Sequence, residues 1–380
     1  MTERLVLVTS SFPIRGDGSE AAGSFVADLA AALAHEIPLR IVAPGVRSGR
    51  ERWSERIDVQ RYAAPAVALS TLKPWRTRDL FWIRRVLLEG QAATYAAAMD
   101  GAAHILALWG LPCGEWARRV AQAKGVAYST WLLGSDVWSL GRLPVLRGFL
   151  ARVIRESTHA YADGYELAEA AQNIARVPVE FLPSTRSIGS AAPIPPPRSQ
   201  PPYRLLFLGR WHPNKGVDLL LDALSQLTAS DWSRIDRVEI QGGGPMEAVV
   251  RQRVASLCAA GHPVEVGGYL GKAGAEDAFA RADWLVIPSR IESIPVVFSD
   301  AMKLHRPVVS MPVGDLPRIV GSEPACGLLA DHTTSVALCD AIRRCLSSSP
   351  AEFAEGVQSM AKRFDLTMIA TKLRNSMVSA

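Results

Sequence analysis

A proline-rich segment near the middle of the chain limits most strongly how this sequence can fold. Residues 183–202 contain seven prolines among twenty positions, three of them in direct succession. Proline lacks a backbone N–H and fixes its own φ angle, so this segment is not expected to form a helix or a central strand. The sequence therefore predicts two domains, at 1–182 and 203–363, joined by a hinge linker at 183–202.

Short apolar runs alternate with helical patterns on both sides of this linker. Strands are predicted at Leu5–Thr9 and Leu39–Ala43 before it, and at Tyr203–Leu208, Arg237–Gln241 and Trp284–Ile287 after it. This alternation is typical of parallel sheets covered by helices. The expected fold class is α/β, with two Rossmann-like domains that face each other across a cleft. A cleft between domains is a preferred place for a ligand.

The composition narrows the class of protein. The 380 residues are 48% hydrophobic and 21% charged, with a net charge of +5, which is a globular composition. The positive charge suits an anionic ligand or membrane surface, but no block of Lys and Arg indicates a nucleic-acid partner. Five cysteines without Cys-x-x-Cys spacing and seven scattered histidines predict neither a disulfide framework nor a metal site. Without a long apolar run or a signal-peptide pattern, we expect a cytoplasmic protein.

Two carboxylates follow one of the predicted strands. Glu292 comes shortly after Trp284–Ile287, and seven mostly apolar residues separate it from Asp300, which is expected in the next helix. In an open α/β sheet, ligands bind outside the carboxyl ends of the strands. Both acids are therefore predicted to face the same crevice.

Two basic residues follow another predicted strand. Arg210 and Lys215 lie between Tyr203–Leu208 and the next helix. The guanidinium fork suits phosphate oxygens, the ammonium group acts as a mobile point charge, and the start of the helix adds a positive dipole end. Together with the acids they predict a site for a sugar bearing a diphosphate, in which charge on the leaving phosphate is stabilised. The alternative is that both are ordinary surface cations.

Glycines follow two of the predicted strands. Gly242 and Gly244 come after Arg237–Gln241, and Gly16 and Gly18 come after the first strand. Glycine lets the backbone approach a ligand closely. The third glycine of a Rossmann fingerprint is missing, so a tight structural turn remains the alternative.

Together these segments resemble the family 4 retaining nucleotide-sugar glycosyltransferases of the GT-B fold, the glycogen-synthase-like type. The resemblance extends over nearly the whole chain and rests on Ser10–Pro13 with the Gly16/Gly18 loop, Gly209-Arg210 with Lys215-Gly216, Gly242–Pro245 with Gly268–Leu270, Glu292 with Asp300, and Arg306–Val309 with Gly314. It implies transfer of a sugar from a nucleotide-diphosphate donor to a hydroxyl acceptor with retained configuration, in glycan, polysaccharide or glycolipid biosynthesis. It also implies that no metal or further cofactor is needed.

The resemblance also implies roles for single residues. Arg210 and Lys215 would bind the donor diphosphate, Glu292 would face the donor sugar, and Asp300 would hold the ribose hydroxyls. Further donor contacts would come from Gly209, Gly16, Gly18, Gly242, Gly244, Tyr269, Leu270, Ile294 and Val296. Of these, the backbone near Tyr269 and Leu270 would meet the nucleobase. Asp136 would line the acceptor side, with a structural helix cap as the alternative. The tail at 364–380 would pack back onto the first domain.

Four positions depart from the family pattern. Asp300 stands where the family usually has glutamate, and Leu133 where a histidine usually approaches the donor sugar. Pro295 and His305 stand where glycine is common. These departures leave two alternatives open: a non-catalytic sugar-nucleotide-binding homologue that supports a partner enzyme, and a sugar-nucleotide epimerase on the same fold.

Residues 73–88 are basic and aromatic together. Such a segment is able to lie on an anionic membrane, which would suit a lipid-linked acceptor. The alternative is a helix that packs Leu80, Ile83 and Leu87 into the core with its arginines solvated.

Overall fold

The chain forms two compact α/β units. A computed structural model describes residues 4–14, 24–65, 67, 72–99, 101–189 and 194–378. The first unit comprises Met1–Arg186 with Leu366–Ala380, and the second comprises Ser187–Asp365. Each unit holds one mostly parallel sheet, so the predicted α/β class with two Rossmann-like domains is confirmed.

The first unit contains an eight-stranded sheet. Its strands are β1 Arg4–Val8, β2 Leu39–Gly45, β3 Gly49–Ser54, β4 Ile57–Ala63, β5 Ala102–Leu108, β6 Ala127–Leu132, β7 His159–Ala162 and β8 Glu180–Phe181. They lie in the order β3-β4-β2-β1-β5-β6-β7-β8, and all pairings are parallel except β3 with β4. The helices before the linker are α1 Ser24–Ala34, α2 Thr77–Ala98, α3 Glu115–Lys124, α4 Ser135–Trp138, α5 Pro144–Glu156 and α6 Tyr165–Ala175.

The central strand β1 contributes to two cores because its side chains alternate between the faces of the sheet. Leu5 and Leu7 belong to a cluster with Val26 and Leu29 of α1, whereas Val6 belongs to a cluster that contains residues of α2 and α3. The unbroken apolar run from Leu5 to Val8 is therefore what a strand buried on both faces requires.

The second unit contains a six-stranded parallel sheet. Its strands are β9 Tyr203–Arg210, β10 Ile235–Gly243, β11 Val264–Gly267, β12 Trp284–Ile287, β13 Val308–Ser310 and β14 Gly327–Leu329. Their order is β11-β10-β9-β12-β13-β14. Along the chain, β10 and β11 are added in turn on one side of β9, and β12 then pairs with the other side of β9. The strand order thus reverses between β9 and β12.

The helices of the second unit are α7 Val217–Ser225, α8 Ala229–Trp232, α9 Glu247–Ala259, α10 Lys272–Arg281, α11 Val296–Lys303, α12 Leu316–Val320, α13 Ser335–Ser347 and α14 Ala354–Arg363. A short 3₁₀ turn at Pro213–Lys215 connects β9 to α7. The last helix, α15 Leu366–Val378, belongs to the first unit, where Ile369, Ala370 and Leu373 join the cluster around Leu5 and Leu7.

The described part of the proline-rich segment is anchored to the second unit. Residues 183–189 and 194–202 contain neither helix nor strand, as predicted. The fully buried Arg306 donates hydrogen bonds to the carbonyl oxygens of Pro195 at 2.7 Å and Phe279 at 2.8 Å. The buried Asp283 carboxylate accepts from the backbone N–H of Arg198 at 2.7 Å and of Arg204 at 2.8 Å. Residues near 195–198 are therefore fixed against the second sheet.

Helix α2 does not bury the residues that were predicted to face the core in the alternative interpretation of residues 73–88. Leu80 and Leu87 are 51% and 45% exposed, and only Ile83 of the three expected core residues is partly buried. The core-facing side is formed by Val86 and by small residues such as Ala93. In the part of the chain that the structure describes, no helix has the length and apolar character needed to cross a membrane.

One buried histidine links the stability of the first unit to pH. His104 of β5 is 2% exposed, and its Nε2 lies 2.9 Å from Ser129 Oγ. The Nδ1 atom is buried and has no hydrogen-bond partner among the residues that the structure describes. Burial, with a smaller contribution from His159, lowers the pKa of His104 to about 4. The folded state therefore disfavours the protonated ring.

We expect this histidine to destabilise the fold in acid. In the unfolded chain its pKa is about 6.5, so the unfolded state binds the proton first as the pH falls. The free energy of unfolding therefore keeps this contribution above pH 6.5. It falls by about 3 kcal/mol as the pH decreases from about 6.5 to 4. Urea unfolding of the parent and His104→Gln across this range measures the difference. His35→Gln, at an exposed position, is the control and should follow the parent. Identical slopes for the parent and His104→Gln would contradict this explanation.

Candidate active site

Two predicted site residues meet where the strand order reverses. Lys215 ends the 3₁₀ turn after β9, and Glu292 lies in the loop after β12. The Lys215 ammonium forms an ion pair with Glu292 Oε1, and Ser289 Oγ lies 3.3 Å from the same oxygen. The side chains of Lys215 and Glu292 are 36% and 12% exposed. The reversal point of an open parallel sheet is where such folds bind ligands.

Arg210, the last residue of β9, provides a second cation. It is exposed, and within the described residues its side chain forms no hydrogen bond or ion pair. Since Lys215 is already paired with Glu292 in this structure, Arg210 is the one of the two predicted cations that no acid neutralises.

Gly216 allows the β9 and β12 loops to come close together. Its φ of 65° lies in the left-handed region, and a Cβ atom there would lie 1.9 Å from the carbonyl oxygen of Pro288. Gly314, with a φ of 53°, lies in the same way against Glu292, since its Cβ would be 2.0 Å from the Glu292 carbonyl oxygen. Any larger residue at either position would push a loop of the site away from its neighbour.

An ion pair that the sequence did not reveal ties these loops together. Arg290 donates to both carboxylate oxygens of Asp218, at 2.8 and 2.7 Å, and to the Pro213 carbonyl oxygen at 2.7 Å. The Arg290 N–H also donates to the Asn214 carbonyl oxygen at 2.8 Å. Hydrogen bonds from Arg290 lower the pKa of Asp218. Both groups are therefore charged at neutral pH, and the pair holds the Lys215 and Glu292 loops in register.

Asp300 lies in a different environment from Glu292. It is fully buried within α11, and its carboxylate lies 3.8 Å from the Lys303 ammonium. Ile294 and Val296 are half-buried on either side of Pro295, which precedes α11. Ile294 and Val296 thus lie at the start of α11, whereas Asp300 lies in the middle of the helix with Lys303 as its charge partner.

The glycines at the carboxyl end of β10 are required by backbone packing. Gly242 has a φ of 150°, and a Cβ there would lie 1.9 Å from the Gly209 carbonyl oxygen. Gly244 has a φ of 143°, with the Trp211 carbonyl oxygen 2.8 Å from its Cβ position. The structural-turn alternative therefore explains these glycines without a ligand.

The predicted base-contacting residues follow β11. Tyr269 is 67% exposed, yet its hydroxyl donates to the Gly243 carbonyl oxygen at 2.6 Å, and Leu270 is half-buried. The tyrosine ring is thus held in one position while much of its surface remains open to solvent.

In the first unit, Asp136 connects two turns. It is 1% exposed, and its carboxylate accepts from the N–H of Gly110 at 2.7 Å and of Val137 at 3.1 Å. Burial raises its pKa despite these bonds. This geometry gives Asp136 a structural role, although not as the cap of α4, because the N-cap of that helix is Gly134. Gly16 and Gly18 lie outside the described residues.

Two further features bear on chemistry. Leu133 is half-buried and packs against the apolar cluster of the first unit, so an apolar contact occupies the position where the family usually has histidine. The described ranges contain no group of three or more His, Cys, Asp and Glu side chains that could hold a metal ion.

Sequence comparison identifies the second unit. Residues 202–348 match the sequence model of the family described as Glycosyl transferases group 1. A D-inositol 3-phosphate glycosyltransferase 2 from Catenulispora acidiphila is 31% identical over 172 residues, which cover 42% of this chain and 39% of the relative. A D-inositol 3-phosphate glycosyltransferase from Saccharomonospora viridis is 28% identical over 274 residues, covering 65% and 61%. The chain therefore spans about two to three fifths of the length of these relatives.

Structure comparison identifies the fold. HepE of Anabaena, solved in complex with UDP-glucose, matches with a TM-score of 0.68 at 15% identity, covering 100% of both chains. The resemblance predicted from the sequence is confirmed: the chain has the GT-B fold, and residues 202–348 of its second unit match the sequence model of the group 1 glycosyltransferases.

The contact between Gly216 and Pro288 predicts a large cost for a single methyl group. We expect Gly216→Ala to destabilise the second unit by about 3 kcal/mol or more, because the Pro288 backbone must move in addition to the cost of a positive φ. Gly261→Ala is the matched control in the same unit, with a φ of 83° and open space around the Cβ position. It should cost only about 1–2 kcal/mol. Chemical unfolding measures both, and equal losses would show that the Pro288 contact is unimportant.

Proposed function

We propose that this protein is a retaining, metal-independent glycosyltransferase that moves a sugar from a nucleoside-diphosphate sugar to a hydroxyl acceptor in glycan, polysaccharide or glycolipid biosynthesis. The main support is the meeting of Lys215 with Glu292 at the carboxyl ends of β9 and β12, with the unpaired Arg210 ending β9. The similarity to relatives named as glycosyltransferases agrees with this proposal.

Each of these residues has a role in the proposed reaction. Arg210 and Lys215 bind the diphosphate and stabilise the negative charge that grows on it as it leaves. Lys215 then shares its charge between the diphosphate and Glu292, which faces the donor sugar. The bond from the anomeric carbon to the diphosphate breaks, and the acceptor oxygen bonds to that carbon on the same face. The acceptor proton passes to the leaving phosphate, as the resemblance implies.

The remaining donor contacts are proposed along the same edge of the second sheet. The exposed ring of Tyr269 and the neighbouring Leu270 lie after β11, where the resemblance places the nucleobase. The donor-binding roles of Gly209, Gly242 and Gly244 stay predictions, because neighbouring backbone already fills the Cβ positions of Gly242 and Gly244. The ribose role of Asp300 stays a prediction, because the carboxylate is fully buried.

Leu133 gives a specific reason to test a second function. With an apolar contact in place of the family histidine, a non-catalytic protein that binds nucleotide sugars is the competing proposal. Incubation with a panel of nucleotide sugars without acceptor separates the possibilities. A transferase releases nucleoside diphosphate slowly by hydrolysis, a binding protein is stabilised thermally without turnover, and an epimerase converts one nucleotide sugar into another. If no donor in the panel stabilises the protein and none is turned over, the proposal is refuted.

The cation pair gives the sharpest test of the leaving-group assignment. We expect Arg210→Ala and Lys215→Ala each to lower turnover by about 100-fold, as the loss of a preorganised charge donor typically does. Release of nucleoside diphosphate at saturating donor measures the effect. Arg237→Ala is the control and should keep parent activity, since it removes a half-buried arginine of β10 that pairs with Glu265 of β11 at 3.2 Å. Parent-like turnover of either site variant would show that the diphosphate is bound elsewhere.

Breaking the Arg290–Asp218 pair is predicted to weaken nucleoside-diphosphate binding by more than its small effect on folding stability explains. We expect Asp218→Asn to weaken nucleoside-diphosphate binding by about tenfold, because the Lys215 loop loses its tie to the Glu292 loop. Asp222→Asn is the control, since Asp222 pairs with Arg253 at 2.5 Å on the same helix. Each of these partly exposed pairs contributes about 1 kcal/mol or less to stability. Calorimetric titration compares them, and equal affinities would exclude a positioning role for Asp218.

The acceptor is proposed to be a glycan or a lipid-linked compound contacted by the first unit. Peripheral contact with a membrane at the cytoplasmic side, through residues 73–88, would bring the enzyme to such an acceptor. Direct contact by Asp136 with the acceptor stays a prediction, because its carboxylate is occupied by Gly110 and Val137.

A further inference from the structure

The start of α2 and the residues before it form an exposed surface that is both apolar and basic. We call it the α2 surface, and its apolar side chains are Trp75, Leu80, Phe81, Leu87 and Leu88, which are 77%, 51%, 59%, 45% and 62% exposed. Sixteen large hydrophobic side chains are exposed in the described residues, and five of them fall within these fourteen positions. Single exposed apolar residues are common on proteins, whereas such a concentration indicates a contact surface.

The helical repeat places most of these side chains together. Leu80, Phe81, Arg84, Leu87 and Leu88 follow the spacing i, i+1, i+4, i+7 and i+8, which defines one face of a helix. The opposite face contains Val86, Gly90 and Ala93, which are buried against the first unit. Helix α2 thus has one apolar face that holds it to the protein and a second that nothing in the described chain covers.

The charges around the second face are almost all positive. Residues 73–88 contain five Lys and Arg but only one acid, Asp79. Arg85 pairs with Glu89 at 2.6 Å, which uses one of these cations within the helix. Within the described residues, the side chains of Arg76, Arg78 and Arg84 form no hydrogen bond or ion pair. The α2 surface is therefore complementary to a partner that has an apolar interior beneath a negatively charged surface layer.

From these observations we infer that the α2 surface binds an anionic lipid bilayer. Arg84 lies within the apolar face, and a long arginine side chain there reaches lipid phosphates while its neighbours enter the acyl boundary. Trp75 lies just before the helix, and tryptophan is enriched at the level of lipid headgroups. The positive charge adds electrostatic attraction to anionic lipids. This inference extends the proposed function by naming the membrane partner, but the binding itself does not depend on catalysis.

Vesicle co-sedimentation of the full chain tests the inference directly. Vesicles of phosphatidylcholine alone are compared with vesicles that also contain phosphatidylglycerol, at low and high salt. We expect binding only to the anionic vesicles and a marked decrease at high salt. Arg78→Gln with Arg84→Gln should weaken binding by about thirtyfold, since each basic residue near the surface contributes roughly a factor of five. Phe81→Ser with Leu88→Ser should weaken it by about tenfold or more.

Matched controls separate the α2 surface from general effects of charge and apolar area. Val249→Ser with Val336→Ser removes exposed apolar side chains of the second unit, and Arg344→Gln removes an arginine there. These variants should bind vesicles like the parent. Thermal stabilisation of every variant by nucleoside diphosphate is measured in parallel, so a failed donor site is distinguished from a failed membrane site.

Three results would overturn the inference. Equal binding to neutral and anionic vesicles would remove the electrostatic basis, and unchanged binding of the α2 variants would place the contact elsewhere. The third result would come from sedimentation equilibrium. If the parent self-associates and the double variant Phe81→Ser with Leu88→Ser does not, the α2 surface binds a second copy of the chain and not a bilayer.

Discussion

The close approach of two loops at the β9 and β12 ends is the constraint on which the proposed chemistry depends. Gly216 allows the backbone after β9 to lie against the Pro288 carbonyl, and the Arg290–Asp218 pair fixes the two loops at that separation. Only then does the Lys215 ammonium reach Glu292. The proposed diphosphate site is thus built on backbone contact first and on charge second, which gives preorganised charges without long flexible side chains having to find each other.

The sequence predicted those parts of this arrangement that depend on local pattern. The apolar runs at β9 and β12 marked buried parallel strands, and the rule for carboxyl ends brought Lys215 and Glu292 to the same region before their contact was known. The Arg290–Asp218 pair was not predicted, because its members are 72 residues apart and neither has a local pattern that sets it apart from a surface charge. The burial of Asp300 was also missed, since the separation of eight positions between Glu292 and Asp300 does not reveal which side of α11 faces the core.

Helix α2 shows why a correct periodicity can still give the wrong buried face. Its sequence supports two faces, and the larger residues Leu80 and Leu87 suggested the one that would be buried. The structure buries instead the face with Gly90, Ala93 and Ala97, where small side chains let the helix lie close to the sheet. Side-chain volume, and not hydrophobicity alone, decided the orientation. The physical result is a helix whose bulkiest apolar groups point away from the protein.

The anchoring of the proline-rich segment changes where the second unit begins. Composition places its start at 203, but Arg306 and Asp283 use the backbone at Pro195 and Arg198 to satisfy buried charges. A fragment cut at 203 would remove one acceptor of the buried guanidinium, which keeps the Phe279 carbonyl oxygen, and one donor to the buried carboxylate, which keeps the Arg204 N–H. Each lost hydrogen bond to a buried charged group costs about 1.5–3 kcal/mol. A version of this unit that keeps both hydrogen bonds must therefore include residues from about 194 onward, although they have no regular secondary structure. The boundary of a folded unit is set by the backbone groups that its buried side chains require.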